Sequence, residues 1–136
     1  KRVIVIKPRT YMNRSGVAVS LVKKFYKIPV DNIFVFHDEL DLKFCQIKCK
    51  VGGGDAGHNG IKSIQEAIGR DFFRIRVGIG RPEFKDEVTD FVLKKFNKEE
   101  MRLIDNLICE IANDIELLLG DTKDEFLRRI SCIMIP

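Results

Sequence analysis

The chain has 136 residues, 45% hydrophobic and 32% charged, which suits one folded domain and excludes disorder as its main state. No apolar run approaches the roughly 18 residues of a membrane-spanning helix, and the opening apolar block is too short for a signal peptide. The net charge of +4 hides a split: residues 1–81 hold 16 Lys/Arg against 7 Asp/Glu, a net of +9, and residues 82–136 hold 8 against 13, a net of −5, so any polyanionic partner meets the first part.

Val3–Lys7 is short, apolar and β-branched, the pattern of a buried strand, and Pro8 ends it. Ser15 is placed to cap a helix over 16–26 that turns Val17, Leu21, Val22 and Phe25 to the core, with Pro29 beyond its end. Asn32–His37 reads as a second buried strand, followed by Asp38-Glu39-Leu40-Asp41. Phe44–Val51 alternates Cys45, Ile47 and Cys49 with Gln46, Lys48 and Lys50, which predicts a half-buried strand with a basic face. The glycine-rich stretch 52–60 leads into a helix over 60–68, capped by Asn59, lined inside by Ile61, Ile64 and Ile68, and ended by Gly69. Residues 73–80 alternate as a further strand. Val88–Leu93 is a short helix or extended segment, and a long amphipathic helix runs from Asn97 or Lys98 to about Leu119. A last helix covers 122–130. The alternation of strands and helices predicts a single α/β domain, with a mixed, mostly parallel β-sheet flanked by helices and helices at the C-terminus.

Asp38 follows a run of apolar strand residues, where a partly desolvated carboxylate can orient and stabilise an imidazolium; the plain alternative is a turn acid bonding a backbone amide. The loop 52–60 offers glycines that expose backbone N–H groups before a helix and could cradle an anion, or it is simply a tight connection. It matches neither a Walker loop nor a dinucleotide fingerprint. Asn13 and Asn59 are amides placed before helices, fit for capping or for gripping a carbonyl and a hydroxyl. Lys48 with Lys50, and Arg74 with Arg76, project pairwise to one side of their strands and form a four-charge phosphate patch if those strands are neighbours. The four cysteines, at 45, 49, 109 and 132, form no dense framework and no matched zinc spacing. A reducing, cytoplasmic setting follows, with Cys109 in the core.

Four blocks then stand together: 7–16 (KPRTYMNRSG), 37–42 (HDELDL), 52–60 (GGGDAGHNG) and 74–82 (RIRVGIGRP). In residues, order and approximate spacing they resemble the bacterial-type peptidyl-tRNA hydrolase family, and Asp90-Phe91-Val92-Leu93 resembles the segment before its long C-terminal helix. The resemblance implies an esterase, expected to be a cytoplasmic monomer without membrane partner, cofactor or metal, that cuts the bond between a peptide and the 3′ ribose of tRNA. In that family a histidine activates water and an aspartate, matching Asp38, stabilises its charged form. Asn13 and Asn59 match amides that grip the peptide and the 3′ end, Tyr11 matches an aromatic of the same cleft, and Lys50 and Arg76 match the tRNA phosphate contacts. Met12 and His58 are expected to join the cleft, and Lys48 and Arg74 the phosphate contacts. The family's Gly-Asn-Pro-Gly and Arg-His-Asn stretches, which supply the catalytic histidine, are not in this sequence. The chain is therefore expected to lack an N-terminal segment and, alone, to be inactive. The alternatives are a tRNA- and peptide-binding module without chemistry, or an unrelated phosphate-binding α/β domain.

Overall fold

A computed structural model describes residues 2–84 and 87–131; Cys132 lies outside them. The elements are a 3-10 turn Met12–Arg14, α1 (Ser15–Tyr26), β1 (Phe34–Glu39), β2 (Ile47–Val51), α2 (Asn59–Ile68), β3 (Phe73–Gly78), α3 (Val88–Leu93), α4 (Lys98–Asp114), a 3-10 turn Ile115–Leu118 and α5 (Lys123–Ser131). The sheet is mixed, in the order β1-β3-β2. Phe73 N–H bonds Ile33 O and Ile79 N–H bonds Glu39 O, so β1 and β3 run parallel. Gly52 N–H bonds Phe72 O and Gly78 N–H bonds Gln46 O, so β2 runs antiparallel to β3. The expected mostly parallel sheet thus has one pair of each kind among the described residues. By its internal contacts the chain divides into two compact units, Lys1–His37 with Lys50–Arg74, and Asp38–Cys49 with Ile75–Pro136.

In the first unit α1 packs on α2 over a core of Val19, Ile61, Ile64 and Phe72, with Val30, Ile33, Val35 and Ile68 against it. The inner face expected for α2 is the one buried, and Gly69, at φ +86°, ends the helix. The face of α1 differs from expectation. Ser15, Gly16 and Val19 are buried, whereas Val17, Leu21 and Phe25 face out, Phe25 at 79% exposure. The reason is a close helix crossing: Gly16 N–H donates to Ser63 Oγ at 2.8 Å, and a Cβ at Gly16 would collide with the Ser63 carbonyl. Small residues let backbones approach, so they, rather than the bulkiest apolar side chains, mark the contact. Ser15 also is not the cap. It lies inside the helix and its hydroxyl bonds Met12 O at 2.8 Å.

Residues 3–7 do not form the expected strand, and Val5 is 84% exposed. A strand exists through its ladder, and among the described residues none pairs with this segment.

In the second unit Leu42, Cys45, Ile47, Ile75, Leu107, Leu118, Phe126 and Ile130 are buried. β2 begins later than expected because Cys45 adopts φ +63° in a turn closed by Gln46 N–H on Lys43 O, at 2.9 Å. Asn97 and Glu100 cap α4 reciprocally, at 2.8 and 3.0 Å. Along α4 only Leu107 is fully buried, so Cys109, expected in the core, is exposed. No helix among the described residues is long and apolar enough to cross a membrane.

Gly16→Ala is expected to lower stability by about 1–3 kcal/mol through overpacking at Ser63. Val17→Ala, one residue on but exposed, is expected to change it by less than about 0.5 kcal/mol. Urea denaturation of the two variants measures the contrast, and equal losses would mean that the crossing is not close.

Candidate functional site

The first unit brings together two of the sequence-predicted segments. Tyr11, Met12 and Asn13 sit on the 3-10 turn ahead of α1, all exposed, and that turn packs on α2. The Met12 sulfur lies 2.7 Å from where a Cβ of Gly60 would stand, and the His58 ring 3.0 Å from the same point. A Cβ at 60 would crowd both, and the flexible Met12 side chain would have to shift. Asn59, exposed, is the first residue of α2. Beside the turn, Arg9, Thr10, Tyr11, Arg14 and Val17 line a shallow depression with two cationic side chains.

The cap of α2 is His58, not Asn59. His58 is extended (φ −75°, ψ 114°), its carbonyl takes the first helical bond from Lys62 N–H at 3.0 Å, and its Nδ1 accepts Ile61 N–H at 3.1 Å. Histidine is not among the usual capping residues, so sequence signals pointed to the asparagine one place on. An accepting Nδ1 leaves the hydrogen of the neutral ring on Nε2. This frees the Asn59 amide from capping. The His37 ring meets the His58 ring edge-on, centroids 5.2 Å apart.

The glycine loop is tied along its length. Gly53 O accepts from Gln65 Nε2 at 3.0 Å and from Arg74 Nη2 at 3.2 Å, and Gly54 O accepts from Arg74 Nη1 at 2.6 Å. Asp55 then accepts Gly57 N–H through Oδ1 and His58 N–H through its carbonyl, both at 2.9 Å.

The strands carrying the basic residues are neighbours, and the antiparallel register sets Lys50 opposite Arg74 and Lys48 opposite Arg76. The four-charge patch is not formed as expected. Arg74 is only 1% exposed, with its guanidinium over the Phe72 ring and turned to the loop carbonyls. Lys50 is half-buried with its ammonium beside Gly53.

In the second unit Lys48 is exposed, and Arg76 is half-buried, 3.8 Å from Glu39. Asp38 is half-buried near the end of β1, on the opposite pleat from its chain neighbour His37. Arg81 pairs with Asp41 at 2.6 Å. Burial pushes the Cys49 thiol up to about 11 although Arg76 pulls it down, and burial with Glu100 nearby raises Cys45. Among the described residues no three His, Cys, Asp or Glu side chains are grouped to hold a metal ion.

The chain and its fold match known proteins. The family model described as peptidyl-tRNA hydrolase matches residues 1–133. The chain belongs to the peptidyl-tRNA hydrolase family. It is 51% identical over 119 residues to the peptidyl-tRNA hydrolase of Aliarcobacter butzleri, covering 88% of this chain and 65% of that one. It is 45% identical over 126 residues to that of Rickettsia bellii, covering 93% and 68%. The crystal structure of peptidyl-tRNA hydrolase from Acinetobacter baumannii superposes with a TM-score of 0.84 at 40% identity, covering 92% of this chain and 64% of that one. The chain thus spans about two thirds of the length of the relatives it matches. Membership in the peptidyl-tRNA hydrolase family sets aside the reading as an unrelated phosphate-binding domain.

Two outcomes test the local chemistry. His58→Ala is expected to cost about 0.5–2 kcal/mol through loss of the α2 cap, whereas His58→Asn retains most of it; thermal unfolding of the two variants separates them, and equal losses would deny the capping role. At pH 8 a thiol near 11 is thiolate only on the order of one part in a thousand. Iodoacetamide is therefore expected to label Cys109 in the native chain and to spare Cys49 until unfolding, as read by site-mapped mass spectrometry.

Proposed function

We propose that this chain serves hydrolysis of the ester that joins a peptide to the 3′ ribose of tRNA, in the cytoplasm and as a monomer. The observation that carries the proposal is the family match across residues 1–133, which takes in all the candidate residues. Ester cleavage by water needs groups that hold the acyl carbonyl and the ribose, a base for the water, and cations for the phosphates.

Asn13 and Asn59 fit the first requirement. Both amides are exposed, on two segments that pack within one unit. Tyr11 and Met12 offer apolar surface beside them, and His58 fits as the residue that sets the direction of Asn59 by capping α2. Lys48, Lys50 and Arg76 are the phosphate contacts, with Arg76 partly neutralised by Glu39.

Asp38 takes the part of the carboxylate that orients and stabilises a histidine once it is charged. Neither histidine of this chain suits the base. His58 Nδ1 is engaged by Ile61 N–H, so Nε2 carries the hydrogen and cannot take another from water without surrendering the cap. His37 points from the opposite pleat to Asp38. Neither histidine is therefore assigned the base, and the part proposed for these 136 residues is to hold peptidyl-tRNA.

The test pairs binding with turnover on the purified chain. tRNA affinity is expected to fall steeply with salt, and Lys48→Ala and Lys50→Ala each to flatten the log–log slope by about one. Any release of tRNA from a peptidyl-tRNA is expected to persist in His58→Asn, which keeps the cap. Turnover abolished by His58→Ala would overturn the assignment of the base, and salt-insensitive binding would overturn the phosphate contacts.

A further inference from the structure

The glycine-rich loop needs something to hold it, and the group that does so is a charge with almost no access to water. Arg74 is 1% exposed. Its guanidinium donates to Gly54 O at 2.6 Å, Gly53 O at 3.2 Å and Arg70 O at 3.3 Å, and lies over the Phe72 ring with its central carbon 4.5 Å from the centroid. Burying a cation is unfavourable unless acceptors gather round it, and here three carbonyls accept from the two terminal nitrogens while an aromatic face lies against the guanidinium. A phosphate-binding arginine must instead present its fork to solvent, which this one does not.

We propose that Arg74 is a positioning residue: it holds the loop 53–58 in the one course that delivers His58 and Asn59 to the start of α2. The proposal rests on the reading above that Asn59 meets the tRNA 3′ end. Gly52 and Gly53 have φ of +71° and +95°, and the carbonyls of Gly53 and Gly54 turn to the guanidinium. Gln65 of α2 takes the same Gly53 carbonyl, so the loop is anchored to a strand and a helix at once. The Asp55 turn follows, and then the His58 cap, each bond setting the direction of the next. Lysine cannot substitute, because a single ammonium lacks the planar fork that serves three carbonyls. The two cations facing each other across β2 and β3 thus divide their tasks: Arg74 organises the loop and Lys50 is left for the phosphate.

Two measurements test this. In Arg74→Gln and Arg74→Lys, amide hydrogen exchange at residues 53–59 is expected to rise at least tenfold over that of α1. Affinity for a short RNA bearing the tRNA 3′ end is expected to fall about tenfold with the salt slope unchanged, whereas Lys50→Ala flattens that slope by about one. In the wild-type chain, which needs no variant to fold, the Arg74 guanidinium N–H signals are expected to exchange slowly with water and to stay in place when the RNA is added. A flattened slope with loop exchange unchanged, or guanidinium signals that move with RNA, would make Arg74 a phosphate contact and overturn the proposal. Lowered thermal stability with both loop exchange and affinity unchanged would reduce it to a core residue. If the wild-type chain binds no RNA, the functional reading fails, and the exchange data alone still decide whether Arg74 holds the loop.

Discussion

The contact of Gly16 with Ser63 is the constraint from which the candidate site follows. A backbone N–H within 2.8 Å of a hydroxyl brings α1 and α2 so close that no side chain fits between them. A helix is stiff, so one close crossing determines where its first turn lies. The turn that precedes α1 then falls on the start of α2, with the Met12 sulfur over Gly60. The second glycine meets a milder demand: a Cβ there would crowd the Met12 and His58 side chains rather than backbone. Asn13 and Asn59, 46 positions apart in the chain, become parts of one packed unit by this means.

A second constraint acts across the sheet. The antiparallel register sets Lys50 against Arg74 and Lys48 against Arg76, and like charges directly opposite each other repel. The two pairs are relieved differently. Arg74 turns inward to carbonyl oxygens and an aromatic ring, while Arg76 turns toward the carboxylate of Glu39. Lys48 is exposed, while Lys50 is half-buried with its ammonium beside Gly53. Of the two guanidiniums, that of Arg74 goes where several acceptors converge, as its planar fork allows.

Much of this was legible from residue order. The stripe Ile61, Ile64 and Ile68 has helical spacing, and Gly69 follows it at the place where a left-handed residue ends a helix. Both readings agree with the structure. The start of α4 at Asn97 or Lys98 was legible as well, and the capping box that the structure shows there depends on two local bonds. On α1, where expectation and structure part, the deciding neighbour is distant in sequence. Val17, Leu21 and Phe25 form a regular apolar stripe on α1, yet Ser63, on another helix, selects the face with the small residues. Val3–Lys7 has the composition of a strand and lacks a ladder among the described residues.

The sequence by itself determined the order of elements from α1 onward, the basic character of the first part and the family, and it singled out the candidate residues, because period, turn residues and motifs are properties of neighbours along the chain. Only the tertiary structure decided which partners each candidate meets. Arg74 and Arg76 have the same spacing pattern and nearly the same sequence setting, but three carbonyls converge on one and a single carboxylate approaches the other. His58 and Asn59 are adjacent, and the conformation of the loop assigns the cap to the first and releases the amide of the second. Such assignments depend on which acceptor lies within about 3 Å of a side chain, and that is settled by packing between segments far apart in the chain.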